Sequence, residues 1–132
     1  MKVSGVIAEY NPFHNGHKYQ LDKIREENHA DYIIVAMSGN FVQRGTPAFI
    51  DKYTRAEMAL NCGADLILEI PVLGATASAE GFARAGVLTL ASTGILSTLC
   101  YGVEKKSELL SELADFLTSP CEKFNDVLTS CI

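Results

Sequence analysis

The sequence has no tryptophan, only four prolines and only four cysteines among its 132 residues. The cysteines, Cys62, Cys100, Cys121 and Cys131, form no CxxC pair and no metal-ligand spacing, which argues against a disulfide scaffold or a zinc finger. No apolar run approaches the ~20 residues that a membrane-spanning helix needs. The first residues lead directly into an apolar run rather than a signal peptide. We therefore expect a cytoplasmic protein with reduced thiols and no membrane segment.

Basic residues are also scarce. The chain has 11 Lys and Arg against 16 Asp and Glu, a net charge of −5 and a pI near 5.1. Because phosphate contacts supply much of the affinity of an RNA-binding surface, this balance argues against strong RNA binding by the chain alone. A hydrophobic share of 48% with 20% charged residues fits a domain with its own core. We expect residues 1–132 to form a single domain.

Short apolar runs alternate with helical patterns along the chain. The runs predict buried strands at residues 3–8, 32–37, 65–69 and 96–101. Helices are predicted at residues 16–28, 52–61, 78–91, 107–117 and 122–128, and loops at residues 38–50 and 71–77. This alternation is typical of right-handed βαβ crossovers. The predicted fold is an α/β, Rossmann-like layer structure with a mostly parallel sheet and flanking helices.

The loop between the first strand and the first helix carries the strongest functional signal. His14 and His17 bracket Gly16 where the helix begins. The first helical N–H groups lack partners, so this end of a helix favours an anion. Imidazoles donate to phosphate oxygens and stabilise charge during phosphoryl or adenylyl transfer. The pattern predicts a nucleotide site, while a metal site and ordinary helix capping remain as alternatives.

The loop at residues 38–50 follows the second strand and should lie beside the first loop. It contains the polar side chains of Asn40, Gln43 and Arg44. Apolar residues at Phe41 and Val42 suggest that the loop folds down onto the protein. We expect it to cover a substrate, although a solvated turn would have similar polar residues.

Two cations begin the helix that follows. Asp51 is the predicted N-cap, and Lys52 and Arg55 share the first turn. Positive charge opposes the helix dipole at this end, and a bound anion would remove the conflict. We predict that Lys52 and Arg55 contact a phosphate or RNA, while exposed side chains paired with Asp51 are the alternative.

The motifs resemble a known family. The string Ala8-Glu9-Tyr10-Asn11-Pro12-Phe13-His14-Asn15-Gly16-His17 contains the HxGH signature of the HIGH-motif nucleotidyltransferase superfamily. The whole string is similar to that of the bacterial tRNA(Met) cytidine acetate ligase family. The similarity continues through Ser38-Gly39-Asn40-Phe41-Val42-Gln43-Arg44-Gly45-Thr46-Pro47, Lys52-Tyr53-Thr54-Arg55, Glu69-Ile70-Pro71 and Tyr101-Gly102-Val103-Glu104. It covers nearly the whole chain.

The resemblance implies a reaction and a set of site residues. Members of the family activate acetate with ATP and acetylate N4 of the wobble cytidine of elongator tRNA(Met), so ATP, acetate and tRNA are the implied partners. His14 and His17 would be catalytic. The implied ATP contacts are Ile7, Ala8, Glu9, Tyr10, Asn11, Pro12, Phe13, His14, Asn15, Gly16, His17, Lys18, Tyr19, Gln20 and Gly102. Mg²⁺ often accompanies ATP, but the spacing of Glu9, Glu69 and Glu80 selects no metal ligand.

The chain departs from the superfamily pattern at its end. The second superfamily signature, a Ser/Thr-rich turn with a phosphate-gripping arginine, does not occur before Ile132. The resemblance thus implies a catalytic domain truncated at its C-terminal end, with a further region sharing the tRNA-binding task. Two other interpretations stay open: a small-molecule adenylyltransferase of the same superfamily, and a non-catalytic nucleotide-binding module.

Overall fold

The computed structural model describes residues 1–102, Ala114 and Thr118. The chain divides into two compact units, Met1–Tyr101 and Gly102–Ile132. In the second unit Ala114 and Thr118 are helical, and the rest of the predicted helices at 107–117 and 122–128 lies outside the described residues.

Strands and helices alternate as predicted. In chain order they are β1 (Val3–Ala8), α1 (Asn15–Asn28), β2 (Tyr32–Ser38), a 3-10 turn (Gln43–Gly45), α2 (Lys52–Asn61), β3 (Leu66–Ile70), α3 (Val72–Ala75), α4 (Ala79–Ala91) and β4 (Thr98–Cys100). The described residues form one four-stranded sheet in the order β3-β2-β1-β4, and every pairing is parallel. The predicted α/β class with a parallel sheet is confirmed.

The core lies on both faces of this sheet. On one face, Leu21 and Ile24 of α1 and Ala59 of α2 pack against strand residues such as Val6 and Val35. On the other face, Leu90 of α4 and Ala75 of α3 pack against a second set that includes Val3, Ile34, Ala36 and Ile70. The central strands β1 and β2 are almost entirely buried, because both of their faces are covered, and this requires continuous apolar runs.

The order of the strands indicates where a ligand would bind. From β1 the chain moves through β2 to β3 in one direction, and β4 then returns to the free side of β1. In open α/β sheets, ligands bind beyond the carboxyl ends of the strands where the order reverses. That position here is the carboxyl end of β1, next to β4.

Several predicted elements differ from the observed ones. Residues 71–77 contain the single-turn helix α3 rather than a loop, because Ala75 is buried against the sheet. Strand β3 runs one residue later than predicted at both ends, and Asp65 just before it bonds to Ile33 through its backbone N–H at 2.9 Å and its carboxylate at 2.6 Å. Strand β4 is limited to Thr98–Cys100 within the predicted 96–101.

Candidate nucleotide site at the carboxyl end of β1

A cavity of about 370 Å³ opens at the carboxyl end of β1. Every residue that lines it belongs to the stretch predicted to hold ATP: Ile7, Ala8, Glu9, Tyr10, Asn11, Pro12, His14, His17 and Gln20. Five other members of the predicted stretch, Phe13, Asn15, Gly16, Lys18 and Tyr19, do not line it. The structure thus gathers the end of β1, the loop and the first turns of α1 around one space.

The two histidines cap α1 through one nitrogen each. His14 Nδ1 accepts a hydrogen bond from Gly16 N at 3.1 Å, and His17 Nδ1 accepts one from His14 N at 3.2 Å. A nitrogen that accepts cannot carry the proton, so a neutral imidazole in this arrangement is protonated at Nε2. Each capping bond therefore leaves one Nε2–H group available as a donor. Capping and a ligand-binding role, which the sequence presented as alternatives, are compatible.

The charge state of His17 follows from its surroundings. Partial burial, and then the positive charge that a protonated His14 would place beside it, lower the pKa of His17 below its usual value. The two rings are stacked with their centroids 3.7 Å apart. A neutral His17 is thus favoured at neutral pH, in agreement with its Nδ1 accepting a hydrogen bond.

A side chain at Gly16 would crowd the His14 ring. A Cβ on Gly16 would lie 3.0 Å from His14 Cε1 and 3.1 Å from its Nδ1, closer than ordinary contact. The first turn of α1 also has no acidic side chain, so the partial positive charge of the helix end is not neutralised from within the turn. Since the Gly16 N–H is taken by His14 Nδ1, this helix end offers an anion the imidazole Nε2–H groups and the helix dipole rather than that amide donor.

Tyr10 supports the histidines from below the surface. It is 1% exposed, has a positive φ of 46°, and its ring lies 4.8 Å from the rings of both Phe13 and His17. Its hydroxyl has no hydrogen-bond partner among the described residues, and burial raises the pKa of the Tyr10 phenol. A buried hydroxyl without a partner is costly, and this one belongs to a residue that lines the cavity.

The second loop is attached to the first by side chains of cavity residues. Glu9 Oε1 accepts a hydrogen bond from Gln43 N at 3.0 Å, and Asn11 Oδ1 accepts one from Phe49 N at 2.7 Å. Val42 is buried, as expected of a loop that folds down, whereas Phe41 is 46% exposed. These bonds join the loop that follows β1, residues 9–14, to the loop that follows β2, residues 39–50, and we call the two the rim loops.

The polar side chains of this loop differ in their surroundings. Asn40 Oδ1 accepts a hydrogen bond from Lys52 N at 3.3 Å. Gln43 uses its backbone N–H to reach Glu9. Arg44 has a positive φ of 67° and an exposed side chain. None of the three lines the 370 Å³ cavity, so their predicted role in covering a substrate stays a prediction.

Of the predictions for the two cations of α2, the one for Arg55 needs correction, and the one for Lys52 stays a prediction. Arg55 is 0% exposed, and its guanidinium donates to the backbone carbonyls of Ile50, Glu9 and Gly39. Lys52 Nζ forms an ion pair with Glu69 at 2.6 Å. The helix end is stabilised by Asp51, whose Oδ1 accepts from Tyr53 N and Thr54 N. The conflict between cations and the helix dipole is thus resolved inside the protein, and a buried Arg55 is not a surface contact for phosphate or RNA.

A second, smaller cavity lies on the far side of β2. It measures about 150 Å³ and is lined by Met37, Ser38, Gly39, Lys52, Tyr53, Ala56, Ile67 and Glu69. The sequence offered no signal for it beyond Gly39, where a Cβ would lie 2.2 Å from Glu69 Oε1. Lys52 therefore lines this cavity and not the one that contains the histidines.

Two further features bear on cofactors and location. The residues that the structure describes contain no group of three or more His, Cys, Asp or Glu side chains able to hold a metal ion. No helix in the described part of the chain is long and apolar enough to cross a membrane. Gly102 follows β4 by two residues, and its predicted ATP contact stays a prediction.

Comparison with known proteins places these features in a family. The sequence profile of the HIGH Nucleotidyl Transferase family matches residues 1–132. Proteins named tRNA(Met) cytidine acetate ligase are similar to most of the chain. The one from Acetivibrio thermocellus is 45% identical over 129 residues, which is 97% of this chain, and the one from Syntrophomonas wolfei is 46% identical over 129 residues. The chain covers 31% of each, so it spans less than a third of the curated relatives' length.

A solved structure agrees in both fold and sequence. The crystal structure of Thermotoga maritima TmcAL bound with alpha-thio ATP superposes with a TM-score of 0.90 and is 47% identical, covering 98% of this chain and 32% of that one. Its apo form gives a TM-score of 0.89. The resemblance inferred from the HxGH string is confirmed by these matches. The histidine-capped helix, the parallel sheet and the family profile agree: the chain belongs to the HIGH nucleotidyl transferase family.

Proposed function

We propose that this chain is the ATP-binding part of a tRNA(Met) cytidine acetate ligase. The activity of such an enzyme joins acetate to a cytidine of tRNA at the expense of ATP. The names of the relatives and the ATP analogue bound to the Thermotoga maritima protein support this assignment. The observation that carries it in this chain is the pair of Nε2–H donors at the start of α1, beside a cavity large enough for part of a nucleotide.

The first step of the proposed reaction uses these donors. A carboxylate oxygen of acetate attacks the α-phosphorus of ATP, and the bond from that phosphorus to the pyrophosphate oxygen breaks. Negative charge builds on the phosphate oxygens as this happens. His14 and His17 donate from Nε2 to those oxygens, and the N-terminus of α1 adds its partial positive charge. No covalent bond to the enzyme is required.

The second step transfers the acetyl group. The exocyclic amine N4 of the cytidine attacks the carbonyl carbon of acetyl-adenylate, the bond to the phosphate oxygen breaks, and AMP leaves. The amine loses a proton to solvent. In this scheme the rim loop with Asn40, Gln43 and Arg44 covers the substrates, and Gly102 contacts the nucleotide. Lys52, which pairs with Glu69, would contact an anion through its remaining ammonium donors, and Mg²⁺ would be bound mainly by the phosphates of ATP.

Nucleotide binding by this chain is the first test. ATP is titrated into the chain in a calorimeter, and into the His14→Ala and His17→Ala variants. The matched control is His29→Asn, because His29 follows the other end of α1 with a φ of 50°, a conformation that asparagine tolerates. We expect weaker ATP binding for the first two variants only. Equal affinity in all four proteins would contradict the assignment of the histidines.

Turnover is tested in a chimera. The chain replaces the matching segment of the Acetivibrio thermocellus relative, and exchange of labelled pyrophosphate into ATP is followed with and without acetate. Loss of one oxyanion-type donor costs about 10²–10³ in rate, and we expect a loss of this size for His14→Ala and His17→Ala in the chimera. Exchange that depends on another acceptor, such as a nucleotide, would support a small-molecule adenylyltransferase. ATP binding without any exchange would support a non-catalytic module.

A further inference from the structure

Arg55 is the most deeply buried charged side chain in the described part of the molecule. Its Nε donates to Ile50 O at 2.9 Å, its Nη1 donates to Glu9 O at 2.6 Å, and its Nη2 donates to Gly39 O. It has no ion pair with a carboxylate within the described residues. Removing a cation from water is expensive, and burial accordingly lowers the pKa of Arg55, while the carboxylates of Asp51, Glu9 and Glu69 oppose this shift.

The three carbonyls come from three segments that meet at the candidate site. Glu9 immediately follows β1, Gly39 immediately follows β2, and Ile50 ends the loop that leads into α2. β1 and β2 are neighbours in parallel register, with Ala8 beside Met37. The planar guanidinium spans these positions because its donors point in fixed, divergent directions, which a lysine ammonium cannot reproduce.

The bond to Glu9 O bears directly on the histidines. That oxygen belongs to the peptide between Glu9 and Tyr10, and Tyr10 has a positive φ of 46°, a conformation that side chains other than glycine rarely adopt. A rotation of this peptide would change the Tyr10 backbone and move a ring that lies 4.8 Å from the His17 ring. The Glu9 side chain also holds the second loop through Gln43 N.

We propose that Arg55 is a positioning residue for the nucleotide site: it fixes the Glu9–Tyr10 peptide and the two rim loops, and so fixes His17 and His14. This role extends the function proposed above. Of its two tests, only the measurement of ATP affinity rests on that function. If Arg55 only stabilised the fold, its replacement would lower the stability of the chain but would not change the state of His14 and His17.

The chain contains a matched control for that distinction. Arg25 also joins separate segments through backbone carbonyls, donating to Ala30 O, Asp31 O and Gly63 O, and it pairs with Asp65. Its partners precede β2 and β3, so they lie at the amino end of the sheet, opposite the site. Arg25→Lys thus removes a comparable set of contacts far from the histidines.

The experiment compares Arg55→Lys and Arg25→Lys with the wild-type chain. Imidazole ¹⁵N signals of His14 and His17 are measured by NMR without ligand, well below the lowest melting temperature, because they report which ring nitrogen carries the proton. ATP affinity is measured by calorimetry on the same samples. Arg55→Gln, which keeps two amide donors and removes the charge, is the second variant if Arg55→Lys does not fold.

We expect Arg55→Lys to shift the His17 and His14 signals and to weaken ATP binding by about tenfold, which equals a loss of ~1.4 kcal/mol in binding free energy. Arg25→Lys should lower the melting temperature and leave the histidine NMR signals and the ATP affinity unchanged. Unchanged histidine signals in Arg55→Lys would overturn the proposal, as would failure of both Arg55 variants to fold while Arg25→Lys folds. If the wild-type chain does not bind ATP, the proposed function fails, and the NMR comparison still decides the role of Arg55.

Discussion

Acidification should loosen the start of α1. Both capping bonds require an Nδ1 atom that accepts, and a protonated imidazole has no free acceptor. The pKa of His17 is lowered in the folded chain by burial and by His14. Unfolding therefore takes up a proton as the pH falls past the unfolded value of about 6.5, and stability is lost from there down to the folded pKa.

The size of the effect follows from the number of caps. Loss of one side-chain N-cap typically costs about 1 kcal/mol, so losing both costs at most about 2 kcal/mol. The lowered pKa belongs to His17, whose ring is stacked on that of His14 at 3.7 Å, so the expected loss is that of one cap, the bond from His14 N to His17 Nδ1. For the loss of one cap in a chain of this length we expect the melting temperature to be about 4 °C lower at about pH 5.5 than at about pH 7.5.

Thermal melting at the two pH values tests this, using three proteins. The His14→Asn/His17→Asn double variant keeps a capping side chain at the first position and has no imidazole at either, so its pH dependence should be smaller. His29→Asn retains both capping histidines and should behave as wild type. Equal pH dependence in the wild type and the double variant would refute the argument that these caps titrate.

Three further changes have defined outcomes. Lys52→Glu places two carboxylates together where an ion pair of 2.6 Å stood, so it should lower the melting temperature, and adding Glu69→Lys should restore it; an unchanged melt would show that the pair contributes nothing. Gly86→Ala would place a Cβ 2.6 Å from Ile7 Cγ2 and should lower the free energy of unfolding, measured in urea, by about 1–3 kcal/mol. The loss should be smaller when Ile7 is also replaced by alanine, and an equal loss in both backgrounds would show that the two sites are independent. Tyr10→Phe removes a buried hydroxyl that has no partner among the described residues and should raise stability by about 1 kcal/mol, so a lower melting temperature would point to a partner.

The lining of the cavity could be predicted from the sequence, because it comes from one segment. The 370 Å³ cavity is lined entirely by residues of the 7–20 stretch, because a strand end, a tight loop and a helix start that are adjacent in sequence are also adjacent in space. The capping pattern is likewise local, since His14 and His17 are three residues apart. Prediction failed for Arg55, where proximity in sequence to Asp51 and Lys52 suggested a surface cation. Its partners Glu9 and Gly39 are 46 and 16 residues away, and no local pattern specifies such contacts.

The sequence by itself determined the strands, the helices, the parallel sheet and the position of the histidines, because each depends on hydrophobic runs, glycines and caps within a few residues. Only the tertiary structure decided which donors are available. It assigned Nδ1 of both histidines to capping, paired Lys52 with Glu69, and buried Arg55 beneath the loops. The physical reason is that a charged or polar side chain bonds to whichever partner the fold brings within about 3 Å, and packing between distant segments determines that partner.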